Sequence, residues 1–366
     1  MFKRKILLTI LLIVVFLSSC KKSINRKKIQ LKQYWEIKNV RSGFSGTLFE
    51  LYENKLYYLT NKNNKYFLNI FNLTGKLRKK IEFKQGRGPG RLYYPRFLKI
   101  KTKKIYLYDP ALNKISYFNI EGKFLDSIKI KKNIGKGLFM DMNEKYIFFN
   151  DMFKNKIVKV NFLTGIIKKK IKYIRPLLNK KSKNSSIKGE KTKLSNLLID
   201  GEKNKLYIAN ISYPYLIEKY DFSLNKIKEF SRPINNNYDK LKYTGGRPSL
   251  KGNIIINGLA INNKYLYAAF GGGHNVKQNK IIGYQNKFYI SVFKKNTGEF
   301  ICELYNPKIN IINGWARLVG VNKKNIIVQV TDFGTTMCNL IDKKNNIIKN
   351  YILIFNNNIC LNLPGD

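Results

Sequence analysis

The residues best suited to chemistry in this chain are a few arginines, a tryptophan and one histidine. Guanidinium groups grip carboxylates and phosphates through paired hydrogen bonds, and an indole stacks on sugar or base rings. Arg96, Arg317, Trp315, His274, Arg247 and Arg87 are therefore the candidate ligand contacts, and the chemistry they suit is recognition of an anionic or sugar-like molecule. His274 follows Gly271-Gly272-Gly273 and is the single histidine of the chain, so a site built on several imidazoles is excluded. The carboxylates and amide that could hold a metal for catalysis are Glu50, Asp141, Asp200 and Asn257, but they do not recur at one register. No C-x-x-C spacing occurs, which removes a zinc knuckle and a redox pair; no metal and no cofactor is expected. Cys302 and Cys338 lie in apolar runs and read as small buried hydrophobes, and a Cys338–Cys360 disulfide is the lesser alternative.

Seventy Lys and Arg against 22 Asp and Glu leave a net charge of +48 in 366 residues, yet 44% hydrophobic and 13% aromatic residues are ample for a core. Lysine far outnumbers arginine and is spread through nearly every segment, at turns and on alternate strand positions. Readers of nucleic acid favour arginine and gather it on one face. The excess therefore reads as a solvated surface, with anionic polymers or lipid as partners of the basic charge and no nucleic acid.

The first twenty residues hold an address. Lys3, Arg4 and Lys5 precede an apolar run from Ile6 to Leu17, the length of a signal-peptide core and too short to span a bilayer. The run ends in Leu17-Ser18-Ser19-Cys20, which resembles the lipobox of bacterial lipoproteins. That resemblance implies cleavage before Cys20, a diacylated thiol and a membrane anchor in the cell envelope, with the outer membrane ahead of the inner. The expected organisation is a signal peptide over 1–19, a lipidated Cys20 with a basic tether to 33, and a single domain over 34–366, as a monomer.

What must position the candidate residues is a repeat. A strand recurs as Lys55-Leu56-Tyr57-Tyr58-Leu59, Lys104-Ile105-Tyr106-Leu107-Tyr108, Lys145-Tyr146-Ile147-Phe148-Phe149, Lys205-Leu206-Tyr207-Ile208, Lys264-Tyr265-Leu266-Tyr267 and Asn325-Ile326-Ile327-Val328. Turns ending in Gly75, Gly122, Gly165 and Gly298 follow a second strand, and Asp109 and Asp151 stand four residues before Asn113-Lys114-Ile115 and Asn155-Lys156-Ile157. Six all-β units at this spacing predict a six-bladed β-propeller of four-stranded antiparallel blades, because a ring protects strand edges. The segment from Tyr34 to Val40 has no unit of its own and is expected to pair near residues 351–355 and close the ring.

Gly86-Arg87-Gly88-Pro89-Gly90-Arg91, a Tyr-Pro and a strand leading to Asp109 resemble the six-bladed β-propeller lipoproteins of bacterial envelopes, relatives of NHL-repeat propellers. Arg91 stands where that family usually carries Glu. The resemblance implies fold and location more than chemistry. With strands A to D counted from the axis, the B–C turns and D-to-A crossings share one face. That face gathers the Gly86–Arg91 loop, the insertions near 177–193 and 234–253, Asp109, Asp151 and the loop from Gly271 to Tyr284. Blander roles stand beside each: a tight turn for Gly86–Arg91, turn caps for Asp109 and Asp151, core packing for Trp315 and solvent for Arg96 and Arg317. The expected function is a lipid-anchored binding or scaffold protein for an envelope partner, glycan or anionic small ligand. The alternative is a metal-dependent lactonase- or lyase-like enzyme at the central channel. Replacing Cys20 by Ser is expected to abolish partition into membranes, measured by fractionation of the expressed chain; an unchanged lipid-anchored fraction would overturn the anchor.

Overall fold

A computed structural model describes residues 28–30, 33–37, 48–131, 139–151, 156–172, 195–200, 203–210, 216–231, 242–244, 247–251, 258–277, 280–306, 314–332 and 349–357. Every regular element among them is a strand. Two come first, β1 (Lys28–Gln30) and β2 (Gln33–Ile37). The first blade is β3 (Phe49–Tyr52), β4 (Lys55–Lys62), β5 (Lys65–Asn72) and β6 (Leu77–Lys84). The second is β7 (Phe97–Lys101), β8 (Lys104–Asp109), β9 (Lys114–Asn119) and β10 (Phe124–Lys129). The third is β11 (Phe139–Met142), β12 (Tyr146–Asp151), β13 (Lys156–Asn161) and β14 (Ile167–Lys172). The fourth is β15 (Ser195–Asp200), β16 (Lys205–Asn210), β17 (Leu216–Asp221) and β18 (Lys226–Ser231). A short hairpin, β19 (Lys242–Thr244) and β20 (Arg247–Lys251), precedes the fifth: β21 (Leu259–Ile261), β22 (Tyr265–Lys277), β23 (Lys280–Lys294) and β24 (Phe300–Tyr305). The sixth adds β25 (Gly314–Val321), β26 (Asn325–Asp332) and β27 (Lys349–Asn356).

Within each blade the strands are antiparallel neighbours in chain order. The outer strand of the sixth is supplied by β2, which pairs antiparallel with β27. The inner strands β3, β7, β11, β15, β21 and β25 touch one another in turn and β25 touches β3, so the ring is closed. The chain is a six-bladed β-propeller. β1 lies parallel along β24 as an extra strand on the fifth blade.

The core explains the apolar runs. In β4, Tyr57 and Leu59 pack with residues of the second blade, while Leu56 and Tyr58 pack with residues of the sixth. In β8, Ile105 and Leu107 face the first blade, and Tyr106 and Tyr108 face the third. The same alternation holds in β16 and β26. A strand side chain points to alternate faces, so a second strand buried on both faces must be apolar throughout. Each buried aliphatic or aromatic side chain contributes roughly 1.5–3 kcal/mol.

The abundant asparagines serve the turns. Asn54, Asn63, Asn64, Asn113 and Asn204 hold positive φ, which asparagine tolerates better than most residues. In the C–D turns the Asn72 side chain accepts from the amides of Thr74 (3.2 Å) and Lys76 (2.9 Å), and Asn119 from that of Lys123 (2.8 Å). Each of the first five outer strands then bulges by one residue: Arg78, Leu125, Lys168, Ile227 and Ile301 are skipped in the pairing.

Two stretches depart from the sequence reading. Residues 271–277 and 280–284, expected as part of a loop, continue β22 and β23 as a paired ribbon, with His274 opposite Tyr284. Glycines suggested a loop, but a two-stranded ladder with two bulges satisfies the same backbone. The insertion near 234–253 contains the hairpin β19–β20, with Arg247 opposite Thr244.

Gly122 has φ +93°, and a Cβ there would lie 2.3 Å from Ile81 Cγ2 of the neighbouring blade. Gly122→Ala is expected to cost about 2–4 kcal/mol, from the strained φ and the overpacked interface together. Gly88→Ala, whose Cβ would meet nothing nearer than 3.6 Å, is expected to be near neutral. Thermal melting of the two variants checks the difference.

Candidate functional site

Three innermost strands carry a charge cluster. Lys99 of β7 reaches Glu50 of β3 and Asp141 of β11, each at 3.0 Å. Asp141 also accepts from the amide of Ile199 in β15 (2.6 Å) and from that of Met142 (2.9 Å). Four consecutive blades are thereby tied at the axis. Burial pushes the Glu50 carboxyl up to about 7, with the Asp141 charge adding to it and Lys99 opposing. Burial alone would lower Lys99, yet Asp141 and Glu50 together hold it above the ordinary lysine value. A second pair, Lys295 with Asp200 at 2.9 Å, joins the fourth and fifth blades, and both side chains are buried.

Of the carboxylates considered as metal ligands, Glu50 and Asp141 thus do converge, but on an ammonium. The Lys99 Nζ stands where a dication would have to stand. Among the described residues no group of three or more His, Cys, Asp or Glu could hold a metal. Asn257 lies outside the described residues.

The second site is the crossing from β6 to β7. Asp109, at the end of β8, accepts from the amides of Tyr93 and Tyr94 through Oδ2 (2.7 Å each) and of Ala111 and Leu112 through Oδ1 (3.1 and 3.2 Å). It caps its own turn, as the sequence suggested, and also pins the crossing. Burial pushes its carboxyl up, against the pull of those backbone donors and of Lys114. The Tyr66 hydroxyl donates to the Tyr93 carbonyl (2.9 Å), and Lys114 Nζ donates to the carbonyl of Gly88 (3.2 Å). The B–C turns and this crossing therefore meet on one face, as expected from the topology. On this frame stand two cation–π stacks: Arg96 over the Tyr94 ring at 3.8 Å and Arg87 over that of Tyr93 at 5.1 Å. Tyr93 and Tyr94 remain 41% and 47% exposed. Gly86 and Gly90 take positive φ, the tight-turn role anticipated for the loop.

Arg87 and Arg96 thus both stand on this crossing, each over its own tyrosine ring. Arg317 lies in the inner strand β25, where burial pushes its guanidinium down to about 10. For Trp315 in β25, His274 in β22 and Arg247 in β20 only the strand is described, not the side chain. Cys20, Cys338 and Cys360 fall outside the described residues, and Cys302 is a buried free thiol in β24. Sequence reasoning missed Lys99, Lys295, Tyr93 and Tyr94. A lysine between Leu98 and Ile100 in a short inner strand was a signal for the first, and two adjacent tyrosines beside the glycine loop for the last two.

The Glu50 shift has a sign. The folded chain keeps a proton up to about pH 7 that the unfolded chain releases near 4.5, so this group favours folding at low pH and loses that contribution as pH rises through 7. The stability of Glu50→Gln relative to the parent is expected to rise by about 3 kcal/mol from below pH 4.5 to above pH 7, measured by denaturation at the two ends. A difference independent of pH would overturn it.

Solved structures share the architecture. A member of the duf4221 family from Bacteroides vulgatus aligns with a TM-score of 0.53 at 12% identity, over 89% of this chain and 97% of that one. A protein of Bacteroides fragilis aligns at 0.50 and 15%, over 90% and 98%. Virginiamycin B lyase from Staphylococcus aureus aligns at 0.45 and 16%, over 87% and 88%. At these identities the likeness is one of fold. No curated protein matches the chain. The model of a family described as 6-bladed beta-propeller, DUF5128, matches residues 49–313, and the chain belongs to that family.

Proposed function

We propose that this propeller is a binding or scaffold protein of the cell envelope, held to a membrane through a lipid on Cys20, and that its crossing face takes an anionic, sugar-like ligand. The observation that carries the reading is the pair of arginine–tyrosine stacks on a crossing fixed by Asp109. Half-exposed tyrosine rings offer flat surfaces for pyranose rings, and the guanidinium groups beside them suit carboxylates or sulfates. The site is preorganised, since four backbone amides and a buried carboxylate fix the loop before any ligand arrives. The basic start, the apolar run and Ser18-Ser19-Cys20 support the anchor. Lys99 between Glu50 and Asp141 favours binding over the metal-dependent enzyme, because the axial carboxylates already have their cation.

Titration calorimetry of the full chain against acidic and neutral oligosaccharides tests this. Arg96→Ala and Tyr94→Ala are each expected to weaken the best acidic ligand by on the order of tenfold, with an unchanged melting temperature. Affinity unchanged from the parent in both variants would overturn the crossing-face site.

A further inference from the structure

The described residues expose five large aliphatic side chains: Leu77, Leu125, Leu163, Ile166 and Ile227, from 38% to 80% exposed. Single exposed apolar residues are ordinary, but these are not scattered. All five lie in or just after the C–D turns of the first four blades, at or within five residues of the bulged position of the outer strand. That bulged position reads Arg78, Leu125, Lys168 and Ile227 in blades one to four. Where it is basic, an aliphatic stands one or two residues before it, Leu77 or Ile166; where it is aliphatic, an exposed lysine does, Lys123 or Lys226. Every one of the four blades thus presents at least one exposed aliphatic and one exposed base at the same rim position, the third carrying Leu163 as well as Ile166. Asp126 and Glu229 also lie there, and Glu229 and Glu218 engage Lys226, yet base predominates.

We infer that this turn edge of the rim is a docking surface for an anionic lipid bilayer. Aliphatic tips entering the acyl boundary with lysines among the headgroups are the chemistry of an interfacial contact. Repetition points the same way, because a bilayer is laterally uniform and accepts the same pair from whichever blades meet it. A nucleic acid would be served by aromatic and arginine side chains instead. A second copy would bring another net charge of +48 against the first. β1 runs parallel to β24, an outer strand that leaves such a turn, so β1 also runs away from this edge. The surface is distinct from the crossing face and does not require the lipid on Cys20.

Flotation of the full chain carrying Cys20→Ser tests it, with vesicles of phosphatidylcholine alone or mixed with phosphatidylglycerol. Adding Leu77→Ser, Leu125→Ser and Ile227→Ser is expected to lower partition onto the anionic vesicles by on the order of tenfold or more, with melting unchanged. Lys123→Gln with Lys168→Gln is expected to weaken it less, and binding should fade at about 1 M salt, where the Debye length is about 3 Å. Tyr93→Ser with Tyr94→Ser should leave it unchanged. Parent-like flotation of the triple variant, loss in the tyrosine variant instead, or an effect of the triple variant only on self-association in sedimentation would each overturn the proposal. Because every chain compared lacks the lipid, failure of the Cys20 anchor leaves this comparison intact.

Discussion

The second strand of each blade is buried on both of its faces, and the rest of the molecule follows from that. Tyr57 and Leu59 need a neighbour on one side and Leu56 and Tyr58 on the other. A row of such blades would leave an apolar face bare at each end; only a closed ring gives every blade two neighbours. Closure then brings six inner strands to one axis, where whatever charge they carry is held close together in a poorly solvated place. Lys99 between Glu50 and Asp141 meets that condition, since an unpaired carboxylate there would cost several kcal/mol.

The large positive charge separates into roles once it is placed. The outer strands of the first four blades are edge strands, and among the described residues their outer sides have no strand partner. Their sequences, LRKKIEFK in β6 and IKKKIK in β14, are dense in lysine. Lysines along an exposed edge discourage another chain from adding to the sheet. The fifth blade does accept a further strand there, and it is the chain's own β1. Lys219 and Lys295, by contrast, are buried, and each bonds across the boundary between the fourth and fifth blades.

The fold was readable because its determinants are local and repeated. The glycine-ended turns and the Asp109 register lie within a few residues of what they organise, and the segment near Tyr34 stood out because it had no unit of its own; the structure places all three as expected. The axial cluster was hidden because Asp141 meets Ile199 across 58 residues and Lys99 meets partners on two other blades. Nothing in the flanking sequence announces such a contact. The tyrosine platform was hidden differently: Tyr93 and Tyr94 look like any aromatic pair until Asp109 is seen to hold their amides. The ribbon of β22 and β23 was obscured by its own glycines, whose composition resembles a loop while their backbone pairs as a ladder.

The pairing of β2 with β27 joins the beginning of the chain to its end, with Gln33 opposite Phe355. During synthesis β2 is made long before β27 and cannot join its sheet until the last blade has emerged. The entropy of closing so long a loop grows only slowly with its length, but contacts this distant in sequence form late and slow the search. Until they form, the outer edge of β27 lies open to any strand that passes, including one from another copy. Completion of the sixth blade therefore waits on β27, a delay that a permuted chain with β2 following β27 would remove without touching any binding residue.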